Sequence, residues 1–262
     1  MKKILGLFVF AVMIAVSASA ANPASDFSYH LSEDASYIII KDFKNNRNTY
    51  VIPERIEDFP VLEITSTFIG FEGVKEVSFT LPEGLKKLNL NLNSWVKPIF
   101  SHIKIENLPS SLEECTIWSY STEAINVKCS FNKLTNLKKI DAQAVSFSDK
   151  KISINKFLDY AFPGCDIEEV IFEEGCTSVR NYGDYSGTFQ DCSQLTRITL
   201  PISLGIVGNY AFYGCSKLSE IIIPQNKERL EFGKQCFDYT NISLKTQARL
   251  RQLGYTGELK IN

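Results

Sequence analysis

The sequence predicts a solenoid, in which short repeats stack side by side and each turn adds a short strand to a parallel sheet. Two observations predict it. The pattern Phe-x-x-Cys-x-x-Leu-x-x-Ile-x-Leu, seen from Phe189 to Leu200, recurs along the chain and matches neither a helical stripe nor one long alternation. Turn residues separate the copies. Because one copy is too short to bury its own apolar side, the copies must stack.

Residues 1–20 have the features of a secretory signal peptide. Lys2 and Lys3 precede an apolar run from Ile4 to Val16, and small residues lead up to Ala20, after which we expect cleavage. An uncleaved anchor is the weaker alternative, because the apolar run is shorter than the roughly 20 residues that span a bilayer. We therefore predict an exported mature chain without a membrane span.

The charge balance argues against nucleic acid as a partner. Removing Lys2 and Lys3 reduces 28 basic residues to 26, against 30 acidic residues, which leaves a net charge near −4. Such a chain has no basic field that would attract phosphate backbones.

Residues 21–49 are predicted to form an N-terminal β cap. Alternating segments, among them the β-rich run from Tyr37 to Ile40, are separated by polar turns, and Pro53 ends the last apolar run. A cap is needed because the open end of a solenoid would expose apolar surface and unpaired strand edges.

Residues 50–244 are predicted to hold the repeats, with irregular coils at 91–156. Two weaker units begin at Leu81 and Leu108, so we expect about seven to eight coils. A glycine follows the apolar residue at Gly208 and Gly233, and a positive φ is the expected reason. The clearer copies begin at Phe68, Phe131, Phe162, Phe189, Phe212 and Phe237.

Residues 245–262 are predicted to form a C-terminal cap. Good helix formers surround Leu250 and Leu253, and Gly254 follows directly. This pattern is typical of a short amphipathic helix that ends at a C-cap glycine.

Three motifs characterise the repeats and are most specific from Cys165 to Leu244, namely Leu-Pro-x-Ser-Leu, Val-Gly-Asn-Tyr-Ala-Phe-Tyr-Gly-Cys and Leu-x-x-Ile-x-Ile-Pro. Repeats with these motifs resemble the BspA-type leucine-rich repeat of bacterial surface proteins. The resemblance implies a leucine-rich-repeat solenoid with short parallel β-strands, an irregular convex side, an N-terminal β cap and a short C-terminal helical cap. It also implies export or surface attachment, repeats without catalytic residues and, as in several members, adhesion to host proteins or other bacteria.

The cysteines are predicted to be mostly free thiols in the core. Most of the seven fall at inward positions of the repeat, where a free cysteine behaves as a small apolar residue. Disulfides between neighbouring coils are the alternative, since stacked strands lie about 4.8 Å apart. Equivalent side chains, however, point the same way and not at each other. Cys129 occupies no repeat position and is the best candidate for an exposed thiol.

No signature of a metal or catalytic site is found in the sequence. There is no Cys-x-x-Cys pair, and His30 and His102 are the only histidines. Nucleophile elbows, Walker loops and dinucleotide-binding motifs are also missing. We predict no enzyme, no metal and no cofactor. A thiol-dependent hydrolase using Cys129 or Cys115 within the irregular region is the less favoured alternative.

The outward face of the main sheet is the predicted binding surface. If the apolar residues of each strand point inward, the residues between them point outward. We expect one row of alternating charge, in which neighbouring coils neutralise each other and attract no strongly charged ligand. That row is Glu114, Lys139, Glu169, Arg197 and Glu220.

Apolar and aromatic residues on the same face are the candidate contacts. Trp118 and Tyr120 continue the outward alternation of their strand, and Ile171 and Ile222 point outward from theirs. Alternatively, the two aromatic residues cover an edge of the sheet. A second candidate is the insertion before Phe189, whose Tyr182 and Tyr185 offer adaptable contacts on a loop; alternatively, the coil simply tolerates this insertion.

The sequence therefore predicts a non-catalytic protein that binds a protein or glycan at the bacterial cell surface, in an adhesin-like role. A structural component of the periplasm or cell envelope is the main alternative. The predicted location is extracellular or periplasmic.

Overall fold

The computed structural model of the protein describes residues 20–67, 76–92, 102–119, 125–154, 159–182, 186–257 and 259. Within these ranges, 3-10 helices cover Ala24–Asp26 and Phe131–Lys133, and the α-helix α1 covers Leu244–Gln252. The strands are β1 (Phe27–Leu31), β2 (Ile38–Phe43), β3 (Thr49–Val51), β4 (Arg55–Ile56), β5 (Phe59–Thr67), β6 (Glu76–Thr80), β7 (Lys87–Leu92), β8 (His102–Ile105), β9 (Glu114–Ser119), β10 (Ile125–Val127), β11 (Lys139–Gln143), β12 (Val145–Phe147), β13 (Lys151–Ile154), β14 (Asp159–Ala161), β15 (Glu169–Phe172), β16 (Ser178–Val179), β17 (Asn181–Tyr182), β18 (Ser186–Gly187), β19 (Arg197–Thr199), β20 (Ile206–Val207), β21 (Glu220–Ile222) and β22 (Glu231–Phe232).

The first sheet, sheet 1, runs through the N-terminal half in the order β1-β2-β5-β7-β9-β11-β14, with β4 paired to β5. β1 is antiparallel to β2, and every later neighbour along this order is parallel. The β1–β2 pair therefore caps the first coil by joining its sheet, as the sequence predicts. In β7 the alternation is regular: Lys87 and Asn89 are exposed, whereas Leu88 and Leu90 are buried.

A second sheet, sheet 2, lies on another side of the same coils, in the order β12-β10-β8-β6-β3. This sheet was not predicted from the sequence, although Val77 and Phe79 in β6 show the same inward alternation. Each coil of this half thus contributes one strand to sheet 1 and one to sheet 2.

The C-terminal half is built from two further parallel sheets. Sheet 3 has the order β13-β15-β19-β21, sheet 4 has the order β16-β20-β22, and β17 and β18 form an antiparallel hairpin. In sheet 3 one buried residue of each strand stacks on the next, in the register Ile152, Val170, Ile198 and Ile221.

The described strands agree with the seven to eight coils that the sequence predicts. Sheet 2 takes one strand from each of five successive coils, and β15, β19 and β21 of sheet 3 belong to three further coils. The segments that begin at Leu81 and Leu108 are the connections from β6 to β7 and from β8 to β9, and each leads into a coil of its own.

A column of phenylalanine rings forms the core of the last coils. The ring centroids of Phe162 and Phe189 lie 5.5 Å apart, those of Phe189 and Phe212 lie 5.6 Å apart, and those of Phe212 and Phe237 lie 5.4 Å apart. All four side chains are fully buried, and their planes are close to parallel. Phe131 is not part of this column, because its ring lies edge-on to that of Phe162, with the ring centroids 6.2 Å apart.

The serine of the Leu-Pro-x-Ser-Leu motif connects neighbouring coils. The hydroxyl of Ser111 donates to the carbonyl oxygen of Leu85 at 2.7 Å, and that of Ser203 donates to the carbonyl oxygen of Cys176 at 2.9 Å. Because these carbonyl groups lie at a corner between strands, the serine satisfies acceptors that a ladder would otherwise leave unpaired.

Glycine positions have a different role from the predicted one. Neither Gly208 nor Gly233 has a positive φ, so that expectation was wrong. At Gly233 a Cβ would lie only 2.3 Å from the backbone nitrogen of Asn209, which means that the close approach of two coils requires the glycine. Left-handed residues instead lie two positions after each stacked phenylalanine, at Gly164, Asp191, Gly214 and Tyr239, and also two positions before the last two of them, at Tyr210 and Gln235.

The helical cap closes the C-terminal end as predicted. The hydroxyl of Ser243 accepts a hydrogen bond from the backbone N–H of Thr246, which is the usual N-cap contact. Leu250 and Leu253 are buried against the last coil, and Gly254 has a φ of 107° just after the helix.

A buried carboxylate organises the N-terminal cap. Asp26 is 1% exposed, accepts hydrogen bonds from the amides of Asn22 and Asn45, both at 2.7 Å, and pairs with Arg47. Burial raises the pKa of Asp26, but these hydrogen bonds outweigh burial and hold it below its ordinary value. The carboxylate is therefore charged at neutral pH and joins the start of the cap to the turn between β2 and β3.

Candidate functional site

Sheet 3 brings five of the predicted site residues together, and three of them lie in one row. One outward residue of each strand lies in a single row, which we call the charged row, in the register Lys151, Glu169, Arg197 and Glu220. Lys151 Nζ lies 3.1 Å from Glu169 Oε1, and Arg197 Nε donates to Glu220 Oε2 at 2.7 Å. The charges therefore neutralise each other in pairs, and each exposed pair contributes about 0–1 kcal/mol.

The next row of sheet 3 contains the predicted apolar contacts. In register it is Ser153, Ile171, Thr199 and Ile222. Ile222 is 42% exposed, whereas Ile171 is half-buried. The face of sheet 3 thus combines a neutralised charged row with a row of alternating hydroxyl and isoleucine side chains.

The predicted row of five charges is wrong between Lys139 and Glu169, because these two residues lie in different sheets. Glu114 and Lys139 are neighbours in sheet 1, but the next neighbour of Lys139 is Asp159. Glu169 pairs instead with Lys151 in sheet 3. The alternation of the strands correctly gave the outward positions, yet the five residues belong to two sheets because β13 and β14 enter between them.

Trp118 lies in sheet 1, apart from the charged row. In register it is flanked by Asn91 and Gln143, and the row beside it contains Asn89, Thr116 and Asp141. We call these six residues the Trp118 face. Asn89 is exposed, Asp141 is buried, and the other four are half-buried. Asn91 Oδ1 and Trp118 Nε1 are buried atoms, and they have no hydrogen-bond partner in the part of the chain that the structure describes.

The aromatic loop candidates are only partly described. Tyr120 and Tyr185 lie outside the described residues, and for Tyr182 only the backbone is described. That backbone pairs with Ser186 in the β17–β18 hairpin. The insertion before Phe189 therefore includes a short antiparallel hairpin, and its role as a contact loop stays a prediction.

Cysteines in the phenylalanine repeats bond to the preceding coil. The thiol of Cys192 donates to the carbonyl oxygen of Phe162 at 3.0 Å, and that of Cys215 donates to the carbonyl oxygen of Phe189 at 3.1 Å. Cys165 bonds to the carbonyl oxygen of Ala142, so Ala142 takes the place that a phenylalanine has in later coils. These thiols are fully buried, and burial raises their pKa values.

Cys129 was predicted to be exposed, and this was wrong. It is 8% exposed, because it lies in the corner between β10 and the Phe131 turn, where its backbone N–H donates to Ser148 Oγ. It lines a pocket of about 410 Å³, but burial raises the pKa of its thiol to about 12. The most accessible of the seven thiols is that of Cys176, which is half-buried, whereas the other six cysteines are buried.

We expect alkylation of the native protein at neutral pH to modify Cys176 before any other cysteine. Only the thiolate reacts, and burial raises the pKa of Cys176 as well, but the other six thiols are buried more deeply and are less accessible to the reagent. Mass-spectrometric mapping after brief exposure to iodoacetamide measures this order, with protein in denaturant as the fully labelled reference. The Cys176→Ser variant should lose the first labelling phase, whereas Cys129→Ser should keep it. Rapid labelling of Cys129 or Cys115 would contradict the prediction and favour the hydrolase.

The described residues contain neither a candidate metal cluster nor a membrane-spanning helix. Among the described residues, no three His, Cys, Asp or Glu side chains converge as metal ligands would. No helix in the described ranges is long and apolar enough to cross a membrane.

Comparison with known proteins identifies the repeat. The family profile described as "BspA type Leucine rich repeat region" matches residues 66–183 and 145–254, with 6 copies. These ranges cover more than half of the chain. No curated protein matches the sequence.

Solved structures share the architecture at low sequence identity. A leucine-rich repeat protein of Bacteroides ovatus is 18% identical, with a TM-score of 0.53 over 83% of this chain and 56% of its own. The T. pallidum leucine-rich repeat protein TpLRR is 19% identical over 93% of this chain and 100% of its own, with a TM-score of 0.48. A leucine-rich cell surface protein of Faecalibacterium prausnitzii is 18% identical over 87% of this chain and 56% of its own, with a TM-score of 0.39. The first of these similarities shows the leucine-rich repeat fold.

Proposed function

This chain belongs to the BspA-type leucine-rich repeat family, and we propose that it is an exported, non-catalytic protein that binds a protein or glycan at the bacterial cell surface. The observation that carries the proposal is the arrangement of outward side chains. Parallel strands hold these side chains in rows on two separate sheets. Neighbouring strands within a sheet are about 4.8 Å apart, so each row forms an extended and preordered contact surface.

The cysteines give less support to the hydrolase alternative. Burial raises the pKa of Cys129 to about 12 and that of Cys115 even further. The charged groups that affect Cys129 are Asp149, Lys150 and Asp166, and no histidine is among them. A thiol nucleophile needs a lowered pKa or a nearby base, and neither accompanies Cys129.

A structural role in the cell envelope is the second candidate, and the charged row favours it. Its pairs, Lys151 with Glu169 and Arg197 with Glu220, join neighbouring coils to each other and leave little charge for a ligand. On this alternative the face of sheet 3 would serve the coil itself. Surface location distinguishes the two candidates.

Protease accessibility on intact cells tests the proposal. Cells that express the full chain are treated with protease, and its loss is compared with that in lysed cells and with a periplasmic marker. We expect intact cells to lose the protein while the marker survives. If the protein survives until lysis, it is not on the surface, and the envelope alternative replaces the adhesin-like function.

A further inference from the structure

We propose that three tyrosines of the last coils, Tyr210, Tyr213 and Tyr239, bind a proline-rich segment of a partner protein. We call them the tyrosine cluster. This inference rests on the proposed function and names a ligand class at a surface outside the predicted site residues. The ring centroids of Tyr210 and Tyr213 lie 5.9 Å apart and those of Tyr213 and Tyr239 lie 5.2 Å apart, both edge-to-face. All three side chains are half-buried, so they form one aromatic patch at the surface.

Two of the three tyrosines have a backbone conformation that does not favour tyrosine. Tyr210 has a φ of 54° and Tyr239 has a φ of 59°, in the left-handed region where the Cβ of a bulky residue crowds the backbone. At the position of Tyr239, two residues after the stacked phenylalanine, other coils have Gly164 or Gly214. Glycine would relieve this strain, so the fold alone does not require a tyrosine there. Strained residues of this kind are concentrated at functional sites.

Hydroxyl groups of the cluster are available to a ligand. Within the described ranges, the hydroxyls of Tyr210 and Tyr239 have no hydrogen-bond partner, and neither oxygen is a buried atom. Each can therefore donate to an acceptor on a bound partner. A proline-rich segment supplies such acceptors, because the polyproline II helix has no internal hydrogen bonds and its carbonyl groups stay unpaired.

The rings supply the apolar part of the recognition. The planes of neighbouring rings meet at 76° and 72°, so ring faces and ring edges alternate across the patch. Surfaces lined by aromatic rings accept the pyrrolidine rings of proline, as in the known modes of polyproline II recognition. Because a proline-rich segment is already ordered before it binds, little conformational entropy is lost.

The turns that hold the cluster disfavour other modes of peptide binding. Tyr210 and Tyr213 lie between β20 and β21, and Tyr239 lies between β22 and α1. A partner that adds a strand to a sheet therefore has no strand edge to pair with at the cluster. A helical partner has its carbonyl groups already paired, so it would leave the tyrosine hydroxyls without acceptors.

Charged side chains flank the cluster with opposite signs. The carboxylate of Asp191 lies against the residue that follows Tyr213. On the other flank, the exposed Lys234 accepts a backbone hydrogen bond from Tyr210 through its carbonyl oxygen. Asp238 is 2% exposed and so contributes little to the surface. These flanks favour neither an acidic nor a basic partner, and an aromatic centre with a charged rim is the usual composition of a protein interface.

Titration with a decaproline peptide tests the inference. The purified protein is added to fluorescein-labelled decaproline, and binding is followed by fluorescence anisotropy. We expect saturable binding with a Kd below about 1 mM. This Kd should not change when NaCl is raised to about 1 M, since no charges meet. A labelled Gly-Ser peptide of the same length is equally uncharged but flexible, and it should not bind in the same range.

Variants separate a binding role from a structural one. Tyr213→Ala removes the central ring and should weaken Kd about tenfold or more, as loss of a central aromatic contact does. Tyr239→Gly should also weaken binding, but its urea midpoint should stay close to that of the parent, because relief of the left-handed strain offsets the lost ring contact. Tyr37→Ala, at a half-buried tyrosine of the N-terminal cap, is the matched control and should bind as the parent does.

Three outcomes would overturn the inference. The first is no saturable binding of decaproline at millimolar concentration, and the second is binding that Tyr213→Ala and Tyr239→Gly leave unchanged. The third is binding of a neutral oligosaccharide, such as cellotetraose, that Tyr213→Ala abolishes and decaproline does not compete with, which would assign the cluster to a glycan. In each case a protein that protease still removes from intact cells keeps the proposed function. If it is protected there but binds decaproline through Tyr213, the surface location fails and the ligand class stands.

Discussion

Replacing Gly187 by alanine is expected to unfold the C-terminal coils, and it is the most damaging single substitution that the structure predicts. A Cβ at this position would lie 1.7 Å from the carbonyl oxygen of Tyr210 and 2.1 Å from its carbonyl carbon. Both atoms belong to the backbone of the following coil, so no side-chain rotation relieves the overlap. The expected loss is about 4 kcal/mol or more of unfolding free energy, at the upper end for one substitution.

Urea denaturation followed by circular dichroism measures this effect, and Gly205→Ala is the matched control. At Gly205 the nearest atom to an added Cβ is the carbonyl oxygen of Thr177 at 3.5 Å, which is an ordinary contact. The control should therefore unfold near the midpoint of the parent protein. Equal midpoints for the Gly187 and Gly205 variants would show that the coils do not approach each other as described.

Replacing Phe189 by alanine is the second substitution with a large expected effect. Its ring stacks between Phe162 and Phe212 and meets Phe172 edge-on at 6.0 Å, and it is fully buried. Removing the ring leaves a cavity in the middle of the phenylalanine column. We expect a loss of about 3–5 kcal/mol, the usual range for a buried phenylalanine.

Because coils of a solenoid contact only their neighbours, the damage should be local. Hydrogen exchange should show lost protection in the coils around Phe189, while sheets 1 and 2 keep theirs. Ile202→Ala, at a residue that is 50% exposed, is the control and should change stability by less than about 0.5 kcal/mol. A loss below about 1 kcal/mol in the Phe189 variant would mean that the column is not the core of these coils.

The sequence predicted the repeated core well, because burial depends on local spacing. Phe189, Cys192, Leu195 and Ile198 all point inward, as their pattern indicates, and all are fully buried. The helical cap was equally visible in the sequence, since caps and helix propensities are local signals.

Which strands of neighbouring coils pair with each other could not be predicted, because the pairing depends on contacts between residues that are distant in sequence. Phe131 begins a segment with the same spacing as later copies, yet Ala142 accepts the thiol hydrogen bond that the repeat assigns to a phenylalanine. Alternation indicates which face a residue occupies, but it does not identify the neighbouring strand. For this reason the outward positions of Glu169 and Arg197 were correct, while Lys139, the predicted neighbour of Glu169, was wrong.

The candidate site was predictable in part for the same reason. Trp118 was identified from outward alternation alone, but its amide neighbours Asn91 and Gln143 were missed. They lie on strands whose pairing with β9 no local pattern reveals. An exposed position for Cys129 was inferred from its absence from the repeat, which says nothing about burial in a corner between strands.

Zero-length cross-linking most directly tests the central claim that the predicted contact surface is divided between two sheets. A carbodiimide joins a lysine to a carboxylate only when the two are in contact, and mass spectrometry identifies the linked peptides. The structure predicts links between Lys151 and Glu169, 3.1 Å apart, and between Lys87 and Glu114, 3.4 Å apart. Lys151→Arg should remove the first link and keep the second. A link between Lys139 and Glu169, with none between Lys151 and Glu169, would contradict the division and restore a single continuous face.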